Sequence, residues 1–234
     1  YLTRNWKTAE VGNIRYHYPD KLNRKRAEQF NRNNTRIASK LGVKPEQFDF
    51  YLCDNYQQIL HLLGYDHDNM KAGRTTDGHG VDEGTIFSIM NNEDFSHDVF
   101  HYYAEKIRTN ARNSTAEEGI AYSWGNAYYT DEHGEMIGQQ QLVKALKAYL
   151  QQHPQTSLFD LFTKNPSIFE NQAKVRSLLS SLICDEVERR KGIAGIKALI
   201  DCGKGDEQYF RVVSEFTGIT PANFDQEVMI LLSR

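Results

Sequence analysis

Several features that mark large classes of proteins are missing from this chain of 234 residues. No apolar run approaches the roughly 20 residues that a helix needs to cross a membrane. The net charge is −3 and the pI is about 6.3, so there is no electrostatic basis for binding nucleic acid. Internal repeats and low-complexity tracts are also missing. We therefore predict a globular protein with a proper core, no membrane span and no nucleic-acid partner.

Cysteine is scarce as well. The three cysteines, Cys53, Cys184 and Cys202, have neither the spacing of metal ligands nor that of a disulfide framework. Cys184 and Cys202 could meet if their helices pack antiparallel, but buried free thiols are the commoner outcome. The cysteines therefore do not indicate a redox compartment.

Hydrophobic periodicity predicts an α+β fold. Strands are predicted where β-branched and aromatic residues alternate or cluster, at 13–18, 48–53 and 84–90. The polar, glycine-rich stretch 67–83 is predicted to form a strand and loop at a cleft. Helices are predicted at 20–41 and 55–63 and, in the second half, at 139–151, 158–162, 171–190, 193–201, 207–217 and 221–232. We expect an α+β lobe over 1–112 and a helical lobe over 113–234.

The most informative segment is His97-Asp98-Val99-Phe100-His101. Two histidines four residues apart face the same way on a helix, because 3.6 residues make one turn. Neutral imidazoles in this arrangement can bind one divalent metal ion, and an acid directly after the first histidine can reach a water on that metal. The alternative is a helix whose histidines cap it or pack against the core.

The surrounding sequence predicts an amphipathic helix that could form the floor of a site. An N-cap and an acidic first turn are predicted from Asn91, Asn92, Glu93 and Asp94. The two histidines then lie at the edge of an apolar face formed by Phe95, Val99, Phe100, Tyr103 and Ile107.

Catalytic zinc usually has three protein ligands, so a third ligand is needed. Glu118 follows His101 after sixteen residues, which is enough for a helix end, a turn and the start of a second helix. Ser114 and Glu117 have the spacing of a capping box, which predicts that Glu117 reaches back to the helix start. Small residues at 119 and 121 are expected to leave room beside the Glu118 carboxylate. An ordinary first-turn acid is the alternative for Glu118.

Together, H-D-V-F-H and the later E-E-G-I-A resemble the gluzincin clan of zinc metallopeptidases, which carry H-E-x-x-H on one helix and a zinc-binding Glu on the next. The second segment is most similar to the N-E-G-x-A signature of the aminopeptidase branch and of related peptidase MA-like proteins. The resemblance implies a zincin-like fold, with a small mixed sheet and an active-site helix followed by a mostly helical C-terminal lobe. It implies that His97, His101 and Glu118 bind zinc and that Asp98 is the catalytic general base.

The same resemblance implies a peptide or protein substrate. Strand 84–90 would then be the sheet edge beside the metal, and an extended peptide would pair with it and contact Ile86, Phe87 and Ser88. An interior strand with no ligand role is the alternative. Hydrolysis also needs a donor for the oxyanion, and the candidates are Tyr122, Tyr128, Tyr129, His133 and Tyr209. His79 and Asp66 are weaker candidates for contact with a metal, because they lack helical spacing.

Asp98 separates the functional hypotheses, because it is one methylene shorter than the glutamate of H-E-x-x-H. The leading hypothesis is zinc-dependent peptide hydrolysis. The second is a degenerate peptidase-fold protein that binds metal or peptide without efficient catalysis. The third is a structural or interaction domain that holds no metal.

The chain begins Tyr1-Leu2-Thr3 and has no initiator methionine. This start fits either a trimmed chain or a removed signal peptide. A removed export signal would suit a periplasmic, cell-envelope or extracellular peptidase.

Overall fold

A computed structural model describes residues 3–53, 55–64, 79–82, 84–89, 92–127, 129 and 135–234. It divides into two compact units, which we call the sheet unit, 1–99, and the helical unit, 100–234. The architecture is mixed α and β, as the sequence predicted. Whether 1–112 and 113–234 are separate domains stays a prediction.

The strands are β1 (Lys7–Val11), β2 (Ile14–Tyr18), β3 (Phe48–Cys53), β4 (His79–Asp82) and β5 (Thr85–Ile89). The helices are α1 (Arg24–Leu41), α2 (Tyr56–Leu62), α3 (Ser96–Ile107), α4 (Ser114–Trp124), α5 (Gln139–Gln152), α6 (Leu158–Lys164), α7 (Val175–Ile200), α8 (Asp206–Thr217) and α9 (Phe224–Ser233).

The described strands of the sheet unit form one mixed sheet in the order β1-β2-β3-β5-β4. β1 and β2 make an antiparallel hairpin, and its turn uses Gly12 at φ +60°, a left-handed conformation that suits glycine. β3 is parallel to both of its neighbours, β2 and β5. Parallel neighbours need long crossover connections, and α1 and α2 lie in these two connections.

The prediction that strand 84–90 forms the sheet edge is wrong. β5 lies between β3 and β4, so that Phe87 pairs with Tyr51 on one side and with His79 on the other. Ile86 and Ser88 are buried, as expected for a strand with a neighbour on each side. The edge strand on this side is β4, which lies within the polar stretch 67–83 where the sequence suggested a strand and loop.

One face of the sheet packs against α1. Phe50 of β3 meets Phe30 of α1 edge to face, with ring centroids 5.5 Å apart. Tyr16 of β2 is fully buried, and its hydroxyl donates a hydrogen bond to the Glu93 carbonyl oxygen at 2.9 Å. Apolar contact and one buried hydrogen bond thus fix the chain just before α3.

The helical unit has α4 and α7 in close contact. A Cβ atom at Gly119 would lie 2.4 Å from Ser180 Oγ, so only glycine allows α4 to approach α7 so closely. Gly119 therefore serves the packing of α4 on α7, a role that the sequence did not indicate. α7 is kinked at Gly192, close to the predicted break between two helices.

Two expectations from composition can be compared with the described residues. Cys53, Cys184 and Cys202 are free and buried, which for Cys184 and Cys202 is the outcome that the sequence favoured. No helix in the described part of the chain is both long and apolar enough to cross a membrane.

Candidate metal site

Helix α3 carries both histidines of the H-D-V-F-H segment, and its start is fixed by side chains of the sheet unit. Asp94 Oδ1 accepts a hydrogen bond from the Ser96 backbone N–H at 2.9 Å. Asn33 of α1 donates to Ser96 Oγ at 2.8 Å. The Asn23 backbone N–H donates to Glu93 Oε1 at 2.6 Å. Glu93 and Asp94 therefore anchor α3 from outside the helix and are not its acidic first turn, a position taken by Asp98.

Helix α4 carries Glu118, and its N-cap is Asn113, whose side chain accepts a hydrogen bond from the Ala116 backbone N–H at 3.1 Å. The predicted capping box from Ser114 to Glu117 is therefore wrong. Asparagine at position 113 is as good an N-cap as serine, and it moves the cap one residue earlier. The Glu117 side chain is free to serve another purpose.

The boundary between the two compact units falls inside α3, after Val99. Helix α3 is assigned without a break from Ser96 to Ile107. Helical geometry alone therefore places His97 one turn before His101 and on the same side of α3. His97 is buried and His101 is 18% exposed.

His97, His101 and Glu118 bring together one possible ligand atom each, all within 4.8 Å of one another. His101 Nε2 lies 3.3 Å from Glu118 Oε1. Two ligand atoms about 2.1 Å from a tetrahedral zinc ion are about 3.4 Å apart, so this pair has the spacing that zinc requires. Two imidazoles and one carboxylate also form a known ligand set of catalytic zinc and leave one coordination position open.

Glu117 is a functional candidate that the sequence analysis missed. Its carboxylate is almost fully buried, and Oε2 lies 3.2 Å from His101 Nδ1. A carboxylate can only accept, so Nδ1 carries the proton of this hydrogen bond, and Nε2 faces Glu118. This is the second-sphere arrangement in which a carboxylate orients a metal-binding histidine. The contact between Glu117 on α4 and His101 on α3 depends on how the two helices pack, which the sequence does not show. Only the position of Glu117 next to Glu118 could have marked it as a candidate.

Two arginines from the segment between α3 and α4 compensate the charge of Glu117. Arg108 bonds to Glu117 Oε1, and Arg112 Nε lies 2.9 Å from Glu117 Oε2. Arg112 also reaches Glu118 Oε1, at 3.0 Å from Nη2. Its Nη2 lies 3.3 Å from His101 Nδ1 as well, but both groups are donors when Nδ1 is protonated, so we assign the hydrogen bond to Glu117.

The electrostatics of His101 fit a cation at the site. Burial lowers the pKa of His101, but hydrogen bonds with Glu117 and Glu118 outweigh this effect and raise it to about 9. When the Nδ1 proton is bonded to Glu117, a neutral His101 has a lone pair on Nε2. This lone pair and the Glu118 carboxylate oxygen would repel each other at 3.3 Å unless a positive charge lies between them. A proton or a metal ion can supply that charge. Metal binding needs the neutral imidazole, so it would release this proton.

The candidate oxyanion donors differ in their surroundings. Tyr122 is buried, and its hydroxyl accepts a hydrogen bond from the Lys174 N–H at the start of α7. Burial raises the pKa of Tyr122 to about 12. Tyr209 is fully buried and bonded to Ser180. Tyr129 is partly exposed, and its carbonyl accepts from Ile137. Tyr128 and His133 lie outside the described residues.

The predicted substrate-binding residues lie in the interior strand β5. Ile86 and Ser88 are buried and Phe87 nearly so, and the Ser88 hydroxyl donates to the Asn92 carbonyl at 2.7 Å. Their proposed contact with substrate depended on an edge position that β5 does not have. Asp66 and the side chain of His79 fall outside the described part of the structure.

No family model, curated protein or solved structure matches this chain.

Proposed function

We propose that the protein is a zinc-dependent peptidase of the gluzincin type. The observation that carries this proposal is the convergence of His97, His101 and Glu118, which the two sequence motifs had singled out independently of the fold. Glu117 adds support, since its bond to His101 leaves Nε2 facing Glu118.

Each residue has a defined role in this proposal. When bound, zinc would supply a nucleophilic water at neutral pH and polarise the scissile carbonyl. Asp98 would take a proton from that water and pass it to the leaving amine. Glu117 would hold His101 in the tautomer that binds through Nε2.

The first experiment measures metal. Protein prepared without chelator should contain about one zinc equivalent, because the site has one set of three ligands. His97→Ala and His101→Ala should each abolish tight binding. His153→Ala is a matched control, since the exposed imidazole of His153 bonds to the Tyr149 carbonyl oxygen and stacks on the Tyr149 ring. Full zinc content in a variant that lacks both His97 and His101 would show that the site is misassigned.

The second experiment separates catalysis from binding. A peptide library should be cleaved by the zinc-loaded protein and not by His101→Ala. A protein that holds zinc and cleaves nothing would favour the second candidate, a degenerate peptidase-fold protein, which the short side chain of Asp98 supports. A protein that holds no metal would favour the structural-domain hypothesis.

A further inference from the structure

The segment that joins the two ligand-bearing helices is fixed to a distant part of the chain. Asp201, directly after α7, accepts three hydrogen bonds through its carboxylate. They come from the backbone N–H groups of Thr109 and Asn110, each at 2.7 Å, and from the Thr109 hydroxyl at 2.8 Å. The Asn110 side chain donates back to the Asp201 carbonyl oxygen at 3.0 Å. Thr109 and Asn110, just after α3, are thus held by one carboxylate.

Asn113 fixes the other end of the same segment. Its Oδ1 caps α4, while its Nδ2 donates to the carbonyl oxygens of Gly203 at 2.7 Å and Gly205 at 2.9 Å. Gly203 and Gly205 have φ values of +87° and +97°, which other residues rarely adopt. These glycines allow the connection between α7 and α8 to present two carbonyl groups to one side chain.

We propose that this connection, residues 201–205, is a positioning element that sets the separation of His101 and Glu118. The inference rests on the proposed zinc site, for which these two residues are ligands. His101 lies on α3, eight residues before Thr109, and Glu118 lies on α4, five residues after its N-cap Asn113. A change in the segment between them alters the direction in which α4 leaves Asn113. Zinc tolerates ligand distances within about 0.2 Å, so a small rotation of α4 weakens binding.

The test measures zinc affinity by competition with a chromophoric chelator. Asp201→Ala removes all three acceptor contacts, and we expect zinc to bind about tenfold more weakly, the lower end of the range for residues that support metal ligands. Asp201→Asn keeps an oxygen that can accept from the backbone, so it should retain most of the affinity. Asp160→Ala is the control, because Asp160 is an exposed carboxylate of the same unit that pairs with Lys164. Equal affinity of Asp201→Ala and Asp160→Ala would overturn the proposal.

A second variant checks the other end of the segment. Asn113→Asp keeps the oxygen that caps α4 but replaces the amide donor with an acceptor that faces two carbonyl groups. We expect this variant to weaken zinc binding while the helix remains capped. An affinity equal to that of the wild type would contradict the role we assign to the Gly203 and Gly205 carbonyls.

A double-mutant cycle separates positioning from general destabilisation. If Asp201 acts by placing Glu118, then Asp201→Ala should cost little further affinity once Glu118→Ala has removed the third ligand. An undiminished, additive loss in that background would overturn the proposal, because it would show an effect that does not pass through Glu118.

Amide hydrogen exchange makes the result independent of the proposed function. Failure of the wild-type protein to bind zinc would refute the zinc site but not the positioning of α4. In that case the exchange rates test the positioning by themselves. Faster amide exchange over residues 109–118 in Asp201→Ala than in Asp160→Ala supports the role of residues 201–205 in positioning α4. Equal protection in the two variants overturns it.

Discussion

Carboxylates support helix α3 at both of its ends, but in opposite electrostatic settings. At the N-terminal end, burial raises the pKa of Glu93 and of Asp94, although N–H donors from Asn23 and Ser96 partly offset this effect. At the C-terminal end, burial also acts on Glu117, but the hydrogen bond from His101 and the charges of Arg112 and Arg108 more than offset it and lower the pKa of Glu117.

The difference shows that the two ends of α3 serve different purposes. The N-terminal carboxylates act mainly as hydrogen-bond acceptors, and their negative charge is costly in a buried position. The C-terminal carboxylate Glu117 is ionised and belongs to a network with two arginines and His101. If the proposed function is correct, Asp98 at the first end governs proton transfer, and Glu117 at the second governs the affinity for metal.

The largest expected effect comes from neutralising Glu117. Glu117→Gln leaves the positive charges of Arg108 and Arg112 without a buried partner, and breaking a buried ion pair costs about 3 kcal/mol of stability. Zinc affinity should also fall about tenfold or more, since Glu117 orients His101. Urea unfolding and zinc competition measure the two effects.

Glu93→Gln is the matched variant at the N-terminal end of α3. It keeps an oxygen that can accept from the Asn23 N–H, so its loss of stability should be clearly smaller and its zinc affinity unchanged. If Glu93→Gln and Glu117→Gln lost equal amounts of stability, the carboxylates at the two ends of α3 would not differ in the way we describe.

The next effect concerns Asp98 and should appear in kcat. Relative to glutamate, its carboxylate is withdrawn by about one C–C bond, roughly 1.5 Å, and a misplacement of about 1 Å can cost on the order of a hundredfold in rate. Asp98→Glu should therefore raise kcat with little change in zinc affinity, and Asp98→Asn should abolish the remaining cleavage, because an amide cannot accept the proton.

Two outcomes would contradict this division of roles. A fall in the activity of an already efficient enzyme on Asp98→Glu would mean that the site is built around the shorter acid. The second outcome is that wild type, Asp98→Glu and Asp98→Asn all bind zinc and are all inactive. This would favour the hypothesis of a degenerate peptidase-fold protein that binds metal or peptide without efficient catalysis.

The smallest expected effect is a difference in pH dependence. The pKa of Asp94 is raised in the folded protein, so its ionisation costs stability at neutral pH, and this cost disappears as the pH falls through the raised pKa. The pKa of Asp201 is lowered by the N–H donors of Asn110 and Thr109, so its contribution is present above about pH 4 and is lost as the pH falls further.

Urea unfolding of wild type, Asp94→Asn and Asp201→Asn between neutral pH and about pH 3 tests these signs. On acidification, the wild type should gain stability relative to Asp94→Asn and lose it relative to Asp201→Asn. If the stability of the wild type changed in the same direction relative to both variants, Asp94 and Asp201 would not differ in the way we describe.

The sequence was a good guide to the helices, and it singled out the three residues whose possible ligand atoms the structure brings together. Periodicity located α1, α5 and α8 within a few residues of their observed bounds, because one apolar face per helix leaves a 3.6-residue pattern. It did not locate β1, and it placed β5 at the edge of the sheet. Strand order depends on which segments pair, and pairing between distant segments leaves no local pattern. The role of Glu117 was missed for the same reason: its partners His101 and Arg108 lie nine or more residues away.

The sequence by itself determined that His97 and His101 lie on the same side of one helix, because their spacing matches the helical repeat. It also marked Glu118 as the candidate for a third ligand, through a resemblance of two short motifs. Only the tertiary structure decided that Glu118 comes within 3.3 Å of His101, since that distance depends on how α4 leaves the segment 108–113. The contacts that hold this segment come from residues 201–205, about 90 positions later in the chain, and no local pattern in the sequence encodes them.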